Sequence, residues 1–340
     1  MGVLDAFWDE KGYNTAAEFR RFCNATVPLV RLPKFVFRSD ETLEASLELA
    51  HFGPQPLSQA RLHWQLTDPA GAVLGQGTFG PQLVPIGNGT TLGTVRVPLA
   101  GIRRATQLKL TATVEGTPFA NDWDVWVYPA TLPPPPKDVY FSTALDSKTE
   151  EVLRRGGNVY LQLAGKIVKG KEVVQYFQPA FWNTSWFKMR PPHTTGILCQ
   201  PRHPAFADFP TELHSDLQWW EILDRQQVMV LEDFPPAFRP LVQPIDTWFL
   251  NRRLGLLLEA KVGNGKLVVC SADLTTDPEQ RPAARQLLYS VQRYMASDQF
   301  NPPYSVELAV IRKLLTEPTR EQFNAFSKAV PDELRPKAVN

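Results

Sequence analysis

Cysteine is scarce in this 340-residue chain: Cys23, Cys199 and Cys270 are widely separated and odd in number. They form neither a disulfide framework nor the Cys-x-x-Cys spacing of a structural metal site. No apolar run reaches about eighteen residues, which excludes a helical membrane span, and no basic stretch leads into an apolar one, so no signal peptide is visible in this chain. Ala6 stands where N-myristoylation needs a hydroxyl residue. Surplus charge is missing too. With 36 basic and 35 acidic residues the net charge is +1, too weak a field for a nucleic-acid partner. There is no Gly-rich phosphate loop; Gly263-Asn264-Gly265-Lys266 precedes a strand and reads as a hairpin turn.

What is present is a globular composition, 43% hydrophobic and 21% charged, on a chain longer than one core normally organises. Two domains are expected. Thirty-one prolines suit sandwich edges and loops, and nine tryptophans suit large cores or sugar-stacking surfaces. Residues 1–29 read as helical, with Thr15 as N-cap and Glu18 three residues later as in a capping box. From 30 to 130 the period becomes two, for example in Leu43-Glu44-Ala45-Ser46-Leu47-Glu48-Leu49 and Leu108-Lys109-Leu110-Thr111-Ala112-Thr113-Val114. Seven such strands, separated by turns such as Asp68-Pro69-Ala70-Gly71, predict an immunoglobulin-like β-sandwich.

Residues 131–137 contain four consecutive prolines, an extended and stiff linker. Beyond it, over 138–300, strands alternate with helices: a helix from Ser147 capped by Ser147 itself, a strand from Val159 to Ala164, the apolar run Lys266-Leu267-Val268-Val269-Cys270-Ser271, and a helix from Pro282 to Ala296. Apolar runs covered by helices predict a doubly wound α/β domain. Residues 301–340 read as a tail with helical stretches at 304–315 and 321–329.

Several strings of uncommon residues carry a family resemblance. Val3-Leu4-Asp5-Ala6-Phe7-Trp8-Asp9-Glu10-Lys11-Gly12-Tyr13, then Asn121-Asp122-Trp123-Asp124-Val125-Trp126, then His203-Pro204-Ala205-Phe206-Ala207-Asp208-Phe209-Pro210 are similar to bacterial β-galactosidase-like proteins of glycoside hydrolase family 2. The resemblance spans roughly Gly2 to Phe300. It implies a C-terminal portion of a glycosidase without its catalytic barrel, and it makes residues 1–29 the remnant that closes that barrel. The aromatic face of Phe7, Trp8, Phe19 and Phe22 then lacks the domain it covers. It also implies that the α/β domain is flavodoxin-like and amidotransferase-like, and that the parent protein is of a kind often exported, periplasmic or secreted. The two carboxylates of a retaining glycosidase lie about 5 Å apart on the barrel, upstream of the matched segment, so no catalytic residue is carried over.

Read by chemistry, the α/β domain lacks a convincing nucleophile. Cys199 is followed by Gln200-Pro201, which spoils a strand-to-helix elbow, and no histidine follows Cys270. His193, His203 and His214 lie near Asp208, Glu212, Asp216 and Glu221, but their spacings match no metal-ligand motif. No metal or cofactor is expected. Asn24, Asn88 and Asn183 open N-x-[ST] patterns, incidental in a chain similar to bacterial enzymes. The better candidates are aromatic: Trp182, Trp186, Trp219, Trp220 and Trp248, with Glu221. Flat rings beside amides and acids can stack on a sugar and bond its hydroxyls, or they can pack an interface.

The expectation is a non-catalytic accessory region that braces a catalytic barrel or joins the subunits of a homo-oligomer. A carbohydrate-binding module built on the tryptophan loops is the alternative from another class, and an autonomous hydrolase or amidotransferase in the α/β domain is a third.

Overall fold

The computed structural model describes residues 3–173, 175, 177, 194–246 and 251–320. It divides into two compact units, Met1–Thr131 and Leu132–Asn340. The first is a β-sandwich. One sheet orders β1 (Thr26–Arg31), β3 (Thr42–His51) and β6 (Gly87–Pro98) as β1-β3-β6. The other orders β2 (Val36–Arg38), β4 (Leu57–Thr67), β5 (Val73–Val84), β7 (Thr106–Val114) and β8 (Ala120–Tyr128) as β2-β8-β7-β4-β5.

Alternation explains the core. Along β3, Leu43, Ala45, Leu47 and Leu49 are buried while Glu44, Ser46 and Glu48 turn outward. Leu62, Trp64 and Leu66 of β4 and Leu108, Leu110 and Ala112 of β7 meet them in one cluster. Each such side chain contributes about 1.5–3 kcal/mol by leaving water. Strand β8 departs from the alternation, since Val125, Trp126, Val127 and Tyr128 are all buried.

Before the sandwich comes one short helix, α1 (Ala16–Phe22). It has the capping box read from Thr15 and Glu18: the Thr15 hydroxyl accepts from Glu18 N, and the Glu18 carboxylate accepts from Thr15 N at 2.8 Å. Helix continues no further. Thr26 already begins β1, where residues up to Leu29 had read as helical, because Val27 and the residues beside it pair with β3 instead. None of the α1 residues is buried, and an Arg21–Asp122 ion pair holds the helix to β8.

The second unit contains β9 (Val139–Ser142), α2 (Ser147–Arg154) and β10 (Asn158–Gln162), a parallel crossover. The cap of α2 is Asp146, not Ser147: its carboxylate accepts from Thr149 N at 2.8 Å, which places the hydroxyl of Ser147 inside the first turn. The remaining strands are β11 (Thr194–Cys199), β12 (Met229–Val230), β13 (Val242–Asp246), β14 (Leu254–Gly255), β15 (Leu257–Val262) and β16 (Gly265–Cys270). A six-stranded sheet orders β11-β13-β15-β16-β10-β9, and β12 pairs with β14. The α-helices after α2 among the described residues are α3 (Trp220–Leu223), α4 (Pro282–Met295) and α5 (Leu308–Thr316).

The doubly wound, flavodoxin-like domain expected here is therefore corrected to a mixed sheet. Only β9, β10 and β16 run parallel; β15, β13 and β11 are antiparallel to their neighbours. The cause is the tight β15–β16 hairpin, whose turn at Gly263 (φ +58°) and Asn264 reverses the chain where a parallel sheet needs a long crossover. Gly265 sits so close to α2 that a β-carbon there would lie 2.7 Å from the carbonyl oxygens of Leu153 and Gly157. Of the two helices expected in the tail, α5 is present and the stretch 321–329 lies outside the described residues.

A charged network lies beside this sheet. Lys169, 1% exposed, places Nζ 2.8 Å from Glu232, 2.5 Å from Asp233 and 3.7 Å from Glu317. Lys313 and Arg320 also reach Asp233, and Arg320 donates its backbone N–H to Glu232. Next to it Arg252 pairs with Asp246 and Glu172, while Arg253 donates to the carbonyls of Leu231, Phe234 and Pro235. Among the described residues Lys169, Arg252, Lys313 and Arg320 thus pair with five carboxylates, and Arg253 is bonded to carbonyl oxygens.

Candidate functional site

Two surfaces present themselves. The first is the segment before α1. Asp5 folds residues 4–10 into a closed loop: its carboxylate accepts from Phe7 N at 2.8 Å and Asp9 N at 3.0 Å, while Leu4 bridges Glu10. At the tip Trp8 holds φ +70°, a left-handed conformation that bulky side chains avoid. Phe7 and Trp8 are each 82% exposed, Tyr13 65%, Phe22 58% and Phe19 36%. Phe19 and Phe22 stand edge to face at 5.2 Å. The loop is thus a hydrogen-bonded mount for aromatic side chains that no residue of the first unit buries.

The second is at the sequence-derived candidates Trp219 and Trp220, which the fold separates. Trp219 is fully buried, edge to face with Phe209 at 5.3 Å, and its indole N–H donates to the Thr211 hydroxyl at 2.8 Å. Trp220, one residue on, is 56% exposed and meets Phe177 edge to face at 5.8 Å. Glu221 turns toward α4, where its carboxylate accepts from the backbone N–H of Ala283 and of Ala284. A carboxylate at the N-terminal end of α4 satisfies donors that the helix leaves open, and Pro282 ahead of them has no N–H to satisfy. Trp182, Trp186 and Trp248 lie outside the described residues, as do Phe181, Asn183, Phe187 and His193.

The thiols are chemically quiet. Burial pushes the Cys199 thiol up to about 11, and its Sγ lies 3.0 Å from the Glu212 carbonyl oxygen. Burial likewise pushes Cys270 up to about 12. Neither is a thiolate at neutral pH, so neither is poised as a nucleophile. His203 caps the short turn Pro204–Phe206 by accepting from Ala205 N at 3.3 Å, and its other ring nitrogen is 3.7 Å from Glu259. Burial raises the Asp216 carboxyl to about 6 while it accepts from Gln218 N at 3.2 Å as another cap. Among the described residues no group of three His, Cys, Asp or Glu is arranged to hold a metal ion, and no helix is long and apolar enough to cross a membrane. The network around Lys169 had no sequence signal, because its members are scattered from 169 to 320 and lie on no common period.

No curated protein matches the sequence. Among solved structures, the CARDB domain of a Pyrococcus furiosus protein, solved in complex with di-metal ions, is 12% identical over 30% of this chain and 92% of its own, with a TM-score of 0.24. Spo0M, a sporulation control protein from Bacillus subtilis, is 10% identical over 31% of this chain and 49% of its own, TM-score 0.24. A β-glucuronidase from glycoside hydrolase family 2 is 11% identical over 34% of this chain and 12% of its own, TM-score 0.21. Residues 41–129 match the family model described as Domain of unknown function (DUF8488). Residues 140–316, more than half of the chain, match a second, and the chain belongs to that family, Domain of unknown function (DUF8487).

Proposed function

We propose that this chain is a non-catalytic accessory region of a β-galactosidase-like protein of glycoside hydrolase family 2, bracing a catalytic barrel or joining subunits in carbohydrate degradation. The observation that carries this reading is the exposure of Phe7, Trp8, Phe19 and Phe22, four aromatic side chains in the short segment ahead of the sandwich. Taking each aromatic side chain at about 200 Å², the exposed share of the four is on the order of 500 Å², more than half of one partner's side of a standard interface. A left-handed tryptophan whose N–H donates to the Asp5 carbonyl, between two residues held by the Asp5 carboxylate, is strain retained for display, as at other contact sites. The family strings quoted above supply the identity of the partner in this proposal.

Reconstitution tests it. A family 2 barrel, expressed without its own C-terminal region, should sediment with the full chain, and Phe7→Ser with Trp8→Ser should abolish the complex. Co-sedimentation that the double variant leaves intact would sink the docking role of this face. The chain alone should turn over no aryl β-galactoside.

A second reading, a carbohydrate-binding module, has the exposed Trp220 in its favour. A glycan array decides it: retention of a glycan that Trp220→Ala loses, with the melting temperature unchanged, would put this reading first.

A further inference from the structure

Beside the charged network a cavity of about 350 Å³ is lined by Val230, Glu232, Arg252, Arg253, Thr319 and Arg320. A water molecule takes about 30 Å³, so this space exceeds what one structural water fills and reaches the lower range of small-molecule sites. Three guanidinium groups and one carboxylate share the wall, and the Arg320 side chain is 64% exposed, so solvent reaches it.

The partners of these charges are unequal. Arg252 pairs with Asp246 at 2.8 Å and Glu172 at 3.1 Å. Arg320 pairs with Asp233, and Glu232 is held by Lys169 at 2.8 Å. Arg253 pairs with no carboxylate among the described residues. Its Nη1 donates to the Pro235 carbonyl at 2.7 Å, and its Nη2 to those of Leu231 at 2.7 Å and Phe234 at 2.8 Å. Carbonyls orient a guanidinium without cancelling its charge. They engage three of its five N–H groups, and the Nε–H and one on Nη1 have no acceptor among the described residues.

A planar cation fixed in position with donors to spare suits a carboxylate or phosphate group, which it receives in charge-assisted bonds stronger than those between neutral groups. The turn from Leu231 to Pro235 already holds the guanidinium, so a ligand has little left to order there. Glu232 in the same wall opposes an anion, and its bond to Lys169 reduces that opposition.

We propose that this cavity binds a small molecule through an oxyanion, a carboxylate or phosphate group received by Arg253. The cavity and the exposed aromatic segment belong to different units, so this site stands whether or not that segment docks a barrel.

Saturation-transfer NMR titrations of the full chain test it with three ligands built on one ring: glucuronate, glucose 6-phosphate and glucose. At least one of the two anions should bind with a Kd on the order of 1 mM, and glucose should not bind. The tighter anion tells which oxyanion the site takes. Arg253→Gln, whose amide can still donate to the carbonyls, should weaken binding about tenfold. Glu232→Gln, whose amide can still accept from Lys169, should tighten it, a gain that loss of fold cannot mimic. No binding of either anion, binding of glucose as tight as theirs, an affinity that Arg253→Gln leaves unchanged, or a Glu232→Gln chain that binds no tighter than wild type would each overturn the assignment.

Discussion

Replacing Lys169 with methionine keeps the reach and most of the volume of the side chain and removes its charge. In the native protein that ammonium, 1% exposed, lies within 4 Å of three carboxylates, of which Asp233 is only 7% exposed. Lys169→Met therefore strands buried negative charge, and breaking a buried pair from one side costs about 3–5 kcal/mol. Arg320 and Lys313 still reach Asp233, which places the expected loss near the lower end. For a domain of about 200 residues each kcal/mol moves the melting point by roughly 2–4 °C, so the transition of the second unit should fall by about 6–12 °C.

Scanning calorimetry is the suitable assay, because the sandwich should unfold unchanged while the other transition moves. The pH dependence has a fixed sign. Salt-bridged Asp233 sits below the ordinary carboxylate range: burial opposes its charge, but Lys169 and its other cationic neighbours outweigh it. Its contribution is present above the unfolded value and disappears as pH falls through the folded one. Lys169 is raised in spite of burial, by bonds to Asp233 and Glu232, so its contribution is present below the unfolded value and is lost as alkali passes the folded one. The wild type should show both losses, and the methionine variant should lack the alkaline one. A melting point within 1 °C of wild type would refute the claim that removing the Lys169 ammonium strands buried charge at Asp233.

Further outcomes follow from the same geometry. Under native conditions at neutral pH iodoacetamide should label Cys23 alone, the exposed thiol, with Cys199 and Cys270 reacting only after unfolding; native labelling of either, read by mass spectrometry, would contradict their burial. Thr15→Ala should cost α1 about 1 kcal/mol and speed amide exchange in its first turn without moving either thermal transition, since no α1 residue is buried. Gly265→Ala should lower the second transition, because its β-carbon meets backbone oxygens rather than movable side-chain ends; an unchanged melt would show that the turn relaxes freely.

The sandwich was legible because alternation survives wherever one face is wet, as in β3, where Leu and Glu exchange faces residue by residue. It faded at β1, whose first residues are buried without alternation and follow directly on the helical pattern. The mixed sheet was half legible. The turn at Gly263-Asn264-Gly265 reads as a hairpin, and a hairpin requires an antiparallel strand before it; in Leu257–Val262 the charged Glu259 and Lys261 do alternate with Leu258, Ala260 and Val262, but Glu259 is itself buried, so the alternation does not mark a wet face. For the candidate site, composition marked the aromatic residues but not their orientation. Adjacent Trp219 and Trp220 have opposite fates because a short helical turn points one inward and the next outward. The role of Glu221 depends on α4, some sixty residues later, and no local pattern carries that information.

The middle of the mixed sheet has a consequence in time. Strands β9 and β10 meet across one short helix, and β15 and β16 across a two-residue turn, so each pair can form early from neighbouring chain. The seam between them is different: Asn158 pairs with Lys266, across more than a hundred residues. Closing that loop costs chain entropy before the contact returns any stabilisation. Folding of the second unit should therefore proceed as two early nuclei and one late zipper, with the edges of β10 and β16 as the last hydrophobic strands to be covered. During synthesis β10 emerges long before its partner, and over that interval its Val-Tyr-Leu edge is the part of the chain most in need of protection from other chains.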